Sequence, residues 1–228
     1  MRNLASLLLI LIAALASAQN PTTGRKVVFE DQFNAAALDT AKWTVSIANH
    51  VSVKDGKVVL GFNMTPEGPR GGGISTVGKF EQQYGFFEVN MRFNAFPGHR
   101  GVIGVRTTKQ DELPAAGLTF QGGGPRAYPW ARISSPGGVR DYPPEKGQDG
   151  YLPNGGGYKK FNTYGVLWTD KAYVFFINGK KVMQIEKPEP IKAMALSVRH
   201  EALESDRKDF KEKNLPDDVL VDWVKIWK

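Results

Sequence analysis

The chain reads as one all-β domain, a double-sheet sandwich or jelly roll, on three observations. Its apolar runs are short and turn signals separate them. Gly and Pro are frequent, 25 and 14 residues of 228. No long stretch carries the apolar period of a helix. Many short strands without helices bury their apolar faces best as two stacked sheets.

The elements follow in order. Lys26–Glu30 is the first strand candidate. Val51–Val53 and Lys57–Phe62 come next, joined by a tight Asp55-Gly56 turn. Ile74–Lys79 follows, then Tyr84–Asn94. From Phe87 onward this last segment alternates strictly, with Phe87, Val89, Met91 and Phe93 on one side and Glu88, Asn90, Arg92 and Asn94 on the other. Such alternation marks a half-buried strand. Gly101–Thr107, Gly117–Gln121 and Tyr128–Ser134 continue the series. Tyr142 to Tyr158 is Gly/Pro-rich, lacks a period and reads as a long loop. Phe161–Trp168 and Lys171–Asn178 form a hairpin, and Asn178-Gly179 turns into Lys181–Ile185. Met194–His200 and Val219–Trp227 complete the strands. Between them Glu201 to Lys213 is mostly charged and reads as a loop with one turn at most.

Residues 1–18 stand apart from the domain. Leu4 to Leu15 is apolar, and Ala16-Ser17-Ala18 is a small-x-small cleavage site, the pattern of a secretory signal peptide. The run is shorter than the ~20 residues that a membrane span needs. The expected product is residues 19–228, one secreted or periplasmic domain without a membrane anchor. With no cysteine there are no disulfides, although export would permit them. The formal charge of +7 becomes +6 when Arg2 leaves with the leader. No run of Lys and Arg suggests nucleic acid. A mild positive charge on an exported protein favours an acidic polysaccharide as partner. A monomer is the expected state.

Four blocks resemble glycoside hydrolase family 16, the laminarinase, lichenase and agarase group. Phe29-Glu30-Asp31-Gln32-Phe33-Asn34 with Leu38-Asp39-Thr40-Ala41-Lys42-Trp43-Thr44 is similar to the family's opening F-x-D-E-F…L-D-x-x-K-W. Tyr84-Gly85-Phe86-Phe87-Glu88 resembles Y-G-x-F-E. Phe161-Asn162-Thr163-Tyr164 through Trp168-Thr169, then Phe176-Ile177-Asn178-Gly179-Lys180, resembles F-H-T-Y-x-x-x-W-T and Y-V-D-G-K. Val221-Asp222-Trp223-Val224-Lys225-Ile226 resembles V-D-Y-V-R-V. The blocks lie in the family's order across nearly all of residues 19–228. The resemblance implies a concanavalin-like β-jelly-roll sandwich whose concave sheet forms a carbohydrate-binding cleft, and it puts Trp43, Trp168 and Trp223 at apolar positions expected in the core. For Asp222 it implies a structural calcium site on the convex side; no other cofactor is expected.

The departure from the family is at its diagnostic Glu-x-Asp-x-Glu strand. The corresponding slot is Gly117-Leu118-Thr119-Phe120-Gln121, so Gly117, Thr119 and Gln121 stand where the three acids belong. A retaining glycosidase needs a carboxylate nucleophile and a carboxylic acid about 5–5.5 Å apart. Glycine, a hydroxyl and an amide supply neither. The only acids between Gly101 and Ser135 are Asp111 and Glu112, in a polar loop sequence before Pro114. Glu88 and Glu201 are the nearest acids elsewhere that a relocated pair would use.

If Thr119 and Gln121 face the cleft, alternation adds Gly104 and Arg106, then Tyr128, Trp130, Arg132 and Ser134, then Ser197, Arg199 and Glu201. Arginines suit carboxylate or sulfate, and the aromatics suit sugar rings. The substrate-binding set is therefore Arg106, Thr119, Gln121, Tyr128, Trp130, Arg132 and Arg199. His50, His99 and His200 read as isolated. Gly71-Gly72-Gly73 and Gly155-Gly156-Gly157 precede no helix, so they are not phosphate loops. The leading expectation is a catalytically silent polysaccharide-binding protein. The alternatives are a glycosidase with relocated acids and a lyase in which Arg106, Arg132, Arg199 and Gln121 neutralise a uronate.

Overall fold

A computed structural model describes residues 20–93, 98–107, 115–121, 130–135, 138–142, 160–186, 193–202 and 210–228. Sixteen strands are found among them: β1 Val27–Asp31, β2 Thr44–Ser46, β3 Val51–Lys54, β4 Lys57–Thr65, β5 Gly68–Gly71, β6 Gly73–Ser75, β7 Gly85–Phe93, β8 Arg100–Arg106, β9 Ala115–Gln121, β10 Trp130–Ser135, β11 Gly138–Tyr142, β12 Asn162–Trp168, β13 Ala172–Ile177, β14 Lys180–Glu186, β15 Ala195–Glu201 and β16 Asp217–Trp227. The helical pieces among the described residues are single 3-10 turns, one of them Glu212–Asn214 within the charged segment after β15.

Two sheets hold these strands. The nine-stranded sheet runs β14-β13-β12-β7-β16-β4-β3, with β1 added on β16 and β5 on β4. The seven-stranded sheet runs β11-β10-β9-β8-β15-β6-β2. Alternation decides which face of each is dry. In β7, Phe87, Val89, Met91 and Phe93 are all buried, with Val58 and Leu60 of β4, Tyr164, Val166 and Trp168 of β12, and Val219 and Val221 of β16 beside them. From the opposite sheet come Ile74, Ile103, Val105, Leu196 and Val198. Each such side chain contributes roughly 1.5–3 kcal/mol by leaving water. Tight turns place the hairpins. Asp55-Gly56 and Asn178-Gly179 all have positive φ (51°, 68°, 49° and 72°), the backbone that a two-residue hairpin turn demands.

Two expectations change. Trp223 is not a core residue. A β-bulge between Val221 and Trp223 shifts the register, so Trp223 pairs with the outward-facing Asn90. One extra residue reverses the face of whatever follows it. Trp223 is half-buried on the outer surface, with Lys225 Nζ 5.4 Å from its ring. Trp43 and Trp168 are core residues, as expected. Secondly, the strand expected over Ile74–Lys79 is only Gly73–Ser75. Thr76 then turns inward, where its Oγ1 accepts the Leu196 N–H at 3.0 Å.

Candidate functional site

The seven-stranded sheet has a second face, opposite the core, and strand register places its residues in rows. Gly117 pairs with Gly104 of β8 and Arg132 of β10; Thr119 pairs with Val102 and Trp130; Gln121 pairs with Arg100. On the other side of β8, Ser197 pairs with Gly104, Arg199 with Val102 and Glu201 with Arg100. Strand β6 continues the rows with Ser75 beside Ser197 and Gly73 beside Arg199, and β2 ends them with Thr44 and Ser46. The expected binding positions Arg106, Thr119, Gln121, Trp130, Arg132 and Arg199 thus share one face of one sheet by register. Tyr128 lies outside the described residues.

Register also places residues that alternation alone missed. Arg100 stands between Gln121 and Glu201, and its side chain is buried at 3% exposure. Asp141 of β11 pairs with Arg132. The acidic positions on the strands of this face, among the described residues, are therefore Glu201 and Asp141. Four inter-strand steps separate their strands, about 19 Å at the usual spacing of about 4.8 Å. Glu201 also meets Arg199 Nη1 at 2.9 Å. The imagined partnership of Glu88 with Glu201 fails for a simpler reason. Glu88 alternates with the core residues of β7 and so faces outward from the nine-stranded sheet, on the opposite side of the molecule. Burial pushes its carboxyl above the usual range, and Lys225 and Trp227 draw it partly back.

A cavity of about 470 Å³ opens on this face over β2, β6, β15 and β8. Arg70, Arg106, Arg199, Glu201 and the hydroxyls of Ser75 and Ser197 are among its lining. The glycine run shapes it. At Gly71 a Cβ would stand 1.9 Å from the His200 carbonyl oxygen, so only glycine lets β5 approach β15 so closely. At Gly73 a Cβ would meet Arg199 Cγ and Ser46 Oγ at 2.9 Å, so its absence leaves room for the arginine stem.

Beneath the cavity, where His200 belongs to its lining, lies a polar chain that no local sequence pattern announces. His200 Nδ1 is 3.0 Å from the Leu60 carbonyl oxygen, and His200 Nε2 is 2.8 Å from His99 Nδ1. His99 Nε2 meets Asp217 Oδ2 at 3.0 Å, and Asp217 Oδ1 accepts the Asp218 N–H at 2.8 Å. All three side chains are buried. The histidines read as isolated are thus brought together from residues 101 positions apart. A carbonyl only accepts, so His200 carries its proton on Nδ1 and accepts the His99 Nδ1–H through Nε2. Burial, followed by the neighbouring His99, depresses His200 to about 3, so its ring is neutral at ordinary pH. Phe62 stacks on His99 with centroids 4.7 Å apart, and the Phe93 ring meets both imidazoles edge-on. The three side chains hold donor atoms within 4.8 Å of one another. The two contacts differ in kind: His200 Nε2 and His99 Nδ1 are hydrogen-bonded at 2.8 Å, whereas His99 Nε2 and Asp217 Oδ2 are in ion-pair contact at 3.0 Å.

Asp222 sits at the β16 bulge with Lys57 Nζ 3.5 Å from its carboxylate. An ammonium already supplies the charge that a cation would bring, and as they stand these residues do not fit calcium.

No protein-family model matches the chain, and no curated protein matches its sequence. Solved structures do resemble it. The laminarinase from Rhodothermus marinus superimposes with a TM-score of 0.73 at 15% identity, covering 90% of this chain and 97% of that one. The laminarinase from Flavobacterium sp. UMI-01 gives 0.69 at 16% identity, over 89% of this chain and 100% of that one. SCLam, a non-specific endo-beta-1,3(4)-glucanase from family GH16, gives 0.72 at 15% identity, over 90% and 92%. A SCLam mutant was solved with 1,3-beta-D-cellobiosyl-glucose at its active site. This chain accordingly has the jelly-roll fold of the family-16 laminarinases and glucanases.

Proposed function

We propose that the protein is an exported, monomeric polysaccharide-binding protein that uses a glycosidase-like sheet face without cutting the chain laid on it. One observation carries this reading. Strand β9 is an interior strand of this sheet and has Gly117, Thr119 and Gln121 at its row positions. Among the described residues, the strands of this face offer no carboxylate pair at glycosidase spacing, at most about 9.5 Å. Structural likeness to enzymes that act on glucans supports a sugar chain as the ligand. Hydroxyl, amide and arginine positions on the same rows suit sugar hydroxyls, and the basic groups favour an acidic chain over a neutral one.

The test is affinity electrophoresis against laminarin, lichenan, agarose, carrageenan, alginate and pectate, with reducing ends and unsaturated products measured in parallel. Retardation by at least one polysaccharide with no new ends is the expected result. New reducing ends would establish a glycosidase with acids elsewhere, and ultraviolet absorbance on alginate or pectate would establish a lyase.

A further inference from the structure

We propose that Ser75 and Ser197 make the cavity beside the β4–β5 hairpin a seat for one uncharged sugar unit of the bound glycan. The polymer that fits is then one with neutral units along it, and a uniform polyuronate is a poor ligand. This rests on the glycan-binding reading and adds to it a place, a substrate class and two selectivity residues.

The cavity is built from both sheets. Strands β2, β6, β15 and β8 form its floor, and the β4–β5 hairpin, which belongs to the other sheet, forms its rim. The glycine run joins the two. Gly72 donates its N–H to the Gly61 carbonyl at 2.9 Å, and its own carbonyl accepts the His200 N–H at 2.8 Å. With Gly71 pressed against the His200 backbone, the end of β5 is tied to β15, the strand that carries Ser197.

What is already paired, and what is not, then decides what fits. The charged groups of the lining are engaged. Arg199 Nη1 meets Glu201 Oε2 at 2.9 Å. Arg70 has Glu67 as an electrostatic partner on its own hairpin, and Arg106 is engaged as well. The floor hydroxyls are not. Ser197 is only 5% exposed, and neither its Oγ nor that of Ser75 has a hydrogen-bond partner among the described residues. Arg199 Nε is buried and likewise lacks an acceptor. The two serines pair in register across β6 and β15, so their hydroxyls lie side by side in the lining. A buried polar group without a partner costs stability, and a ligand that supplies the partner removes the cost. A serine hydroxyl both donates and accepts, as a sugar hydroxyl does. A carboxylate or sulfate only accepts. It would also share the space with the Glu201 carboxylate, where like charges repel and no cation of the lining is left without a partner to offset them. The volume of about 470 Å³ is within the usual range for small-ligand sites. The seat lies two strands from β9 at β15 and three at β6, so acidic groups of the chain fall on its other units.

The experiment compares three ligands by titration calorimetry: laminarin, which is neutral; κ-carrageenan, whose sulfated units alternate with uncharged ones; and alginate, which is charged at every unit. Wild type is set against Ser197→Ala and Ser75→Ala. Wild type should bind laminarin or κ-carrageenan more tightly than alginate. Each variant should weaken that binding by about threefold to tenfold, the range of one neutral hydrogen bond. The factor should be the same at low and high salt, because no charge is involved. Both variants should keep or raise the thermal midpoint, since alanine removes a hydroxyl that lacks a partner in the free protein. Affinity for laminarin and κ-carrageenan untouched by both variants overturns the seat while leaving glycan binding intact. So does alginate bound as tightly as the other two, or a loss of affinity that comes with a clear fall in thermal midpoint. Failure of every ligand in this and the wider panel overturns glycan binding itself.

Discussion

At the scale of single residues, the buried Asp217–His99–His200 chain has the clearest measurable consequence. His200 is neutral in the folded protein down to about pH 3, whereas an unfolded histidine takes a proton near pH 6.5. Between those values the unfolded state binds more protons, so stability falls as pH drops from about 6.5 towards 3. Above pH 7 this group contributes no slope. The urea midpoint of wild type should therefore decline through pH 6, 5 and 4. His200→Leu should lose this part of the decline. It should also cost about 2 kcal/mol or more at pH 7, because the Leu60 carbonyl and His99 Nδ1 lose a buried partner. A flat profile in wild type would show that the ring is not held neutral. Gly71 offers a steric test. A methyl group there would collide with backbone, not with a side chain that can swing away. Gly71→Ala should cost at least 1–3 kcal/mol, as overpacking does. None of these residues stood out in the sequence. Histidines 101 positions apart carry no local pattern, and a triple glycine with no helix after it gives no sign of the strand it touches.

Secondary-structure elements were legible in proportion to how far each strand specifies itself. The alternation of Phe87 to Phe93 predicts β7 and its buried side correctly, and the Asn-Gly and Asp-Gly turns place two hairpins. Strands β2, β5 and β11 escaped prediction. Gly68-Pro69-Arg70-Gly71 has no strand propensity, and it is extended because β4 pairs with it. Gly138–Tyr142 is likewise a partner of β10. The β16 bulge was equally invisible, and it misled the placement of Trp223. Truncation separates the three tryptophans. Trp43→Ala and Trp168→Ala should cost about 3–5 kcal/mol, as for other buried aromatics. Trp223→Ala should cost clearly less, with denaturant midpoints as the measure, and equal losses would put Trp223 back in the core. The Lys57–Asp222 pair beside the bulge is a partly exposed ion pair and contributes little. Calcium or a chelator should leave the thermal midpoint unchanged, and a rise of several degrees with calcium would place an ion at Asp222.

For the molecule as a whole, the two sheets divide the work between them. The nine-stranded sheet supplies much of the core and closes the chain, with Lys26 and Lys228 exchanging backbone hydrogen bonds at 2.8 Å. The seven-stranded sheet presents the face on which function is proposed. Alternation along each strand foretold most of that face, because period two depends on nothing distant. What it could not supply was the row partners Arg100 and Asp141, the cavity under the hairpin, or the separation of Glu88 from Glu201, since each depends on which strands lie side by side.

The central claim is that a sugar chain lies across that face and leaves uncut. Titrating isotope-labelled protein with an oligosaccharide from the best-retained polymer, while following protein amides and sugar anomeric protons in one tube, tests both halves. Shifts at Gly73, Gly104, Arg106, Ser197 and Arg199 with an unchanged anomeric spectrum after a day are the predicted result. Shifts concentrated at Glu88, Asn90 and Lys225 on the opposite sheet, or the growth of new anomeric signals, would contradict it.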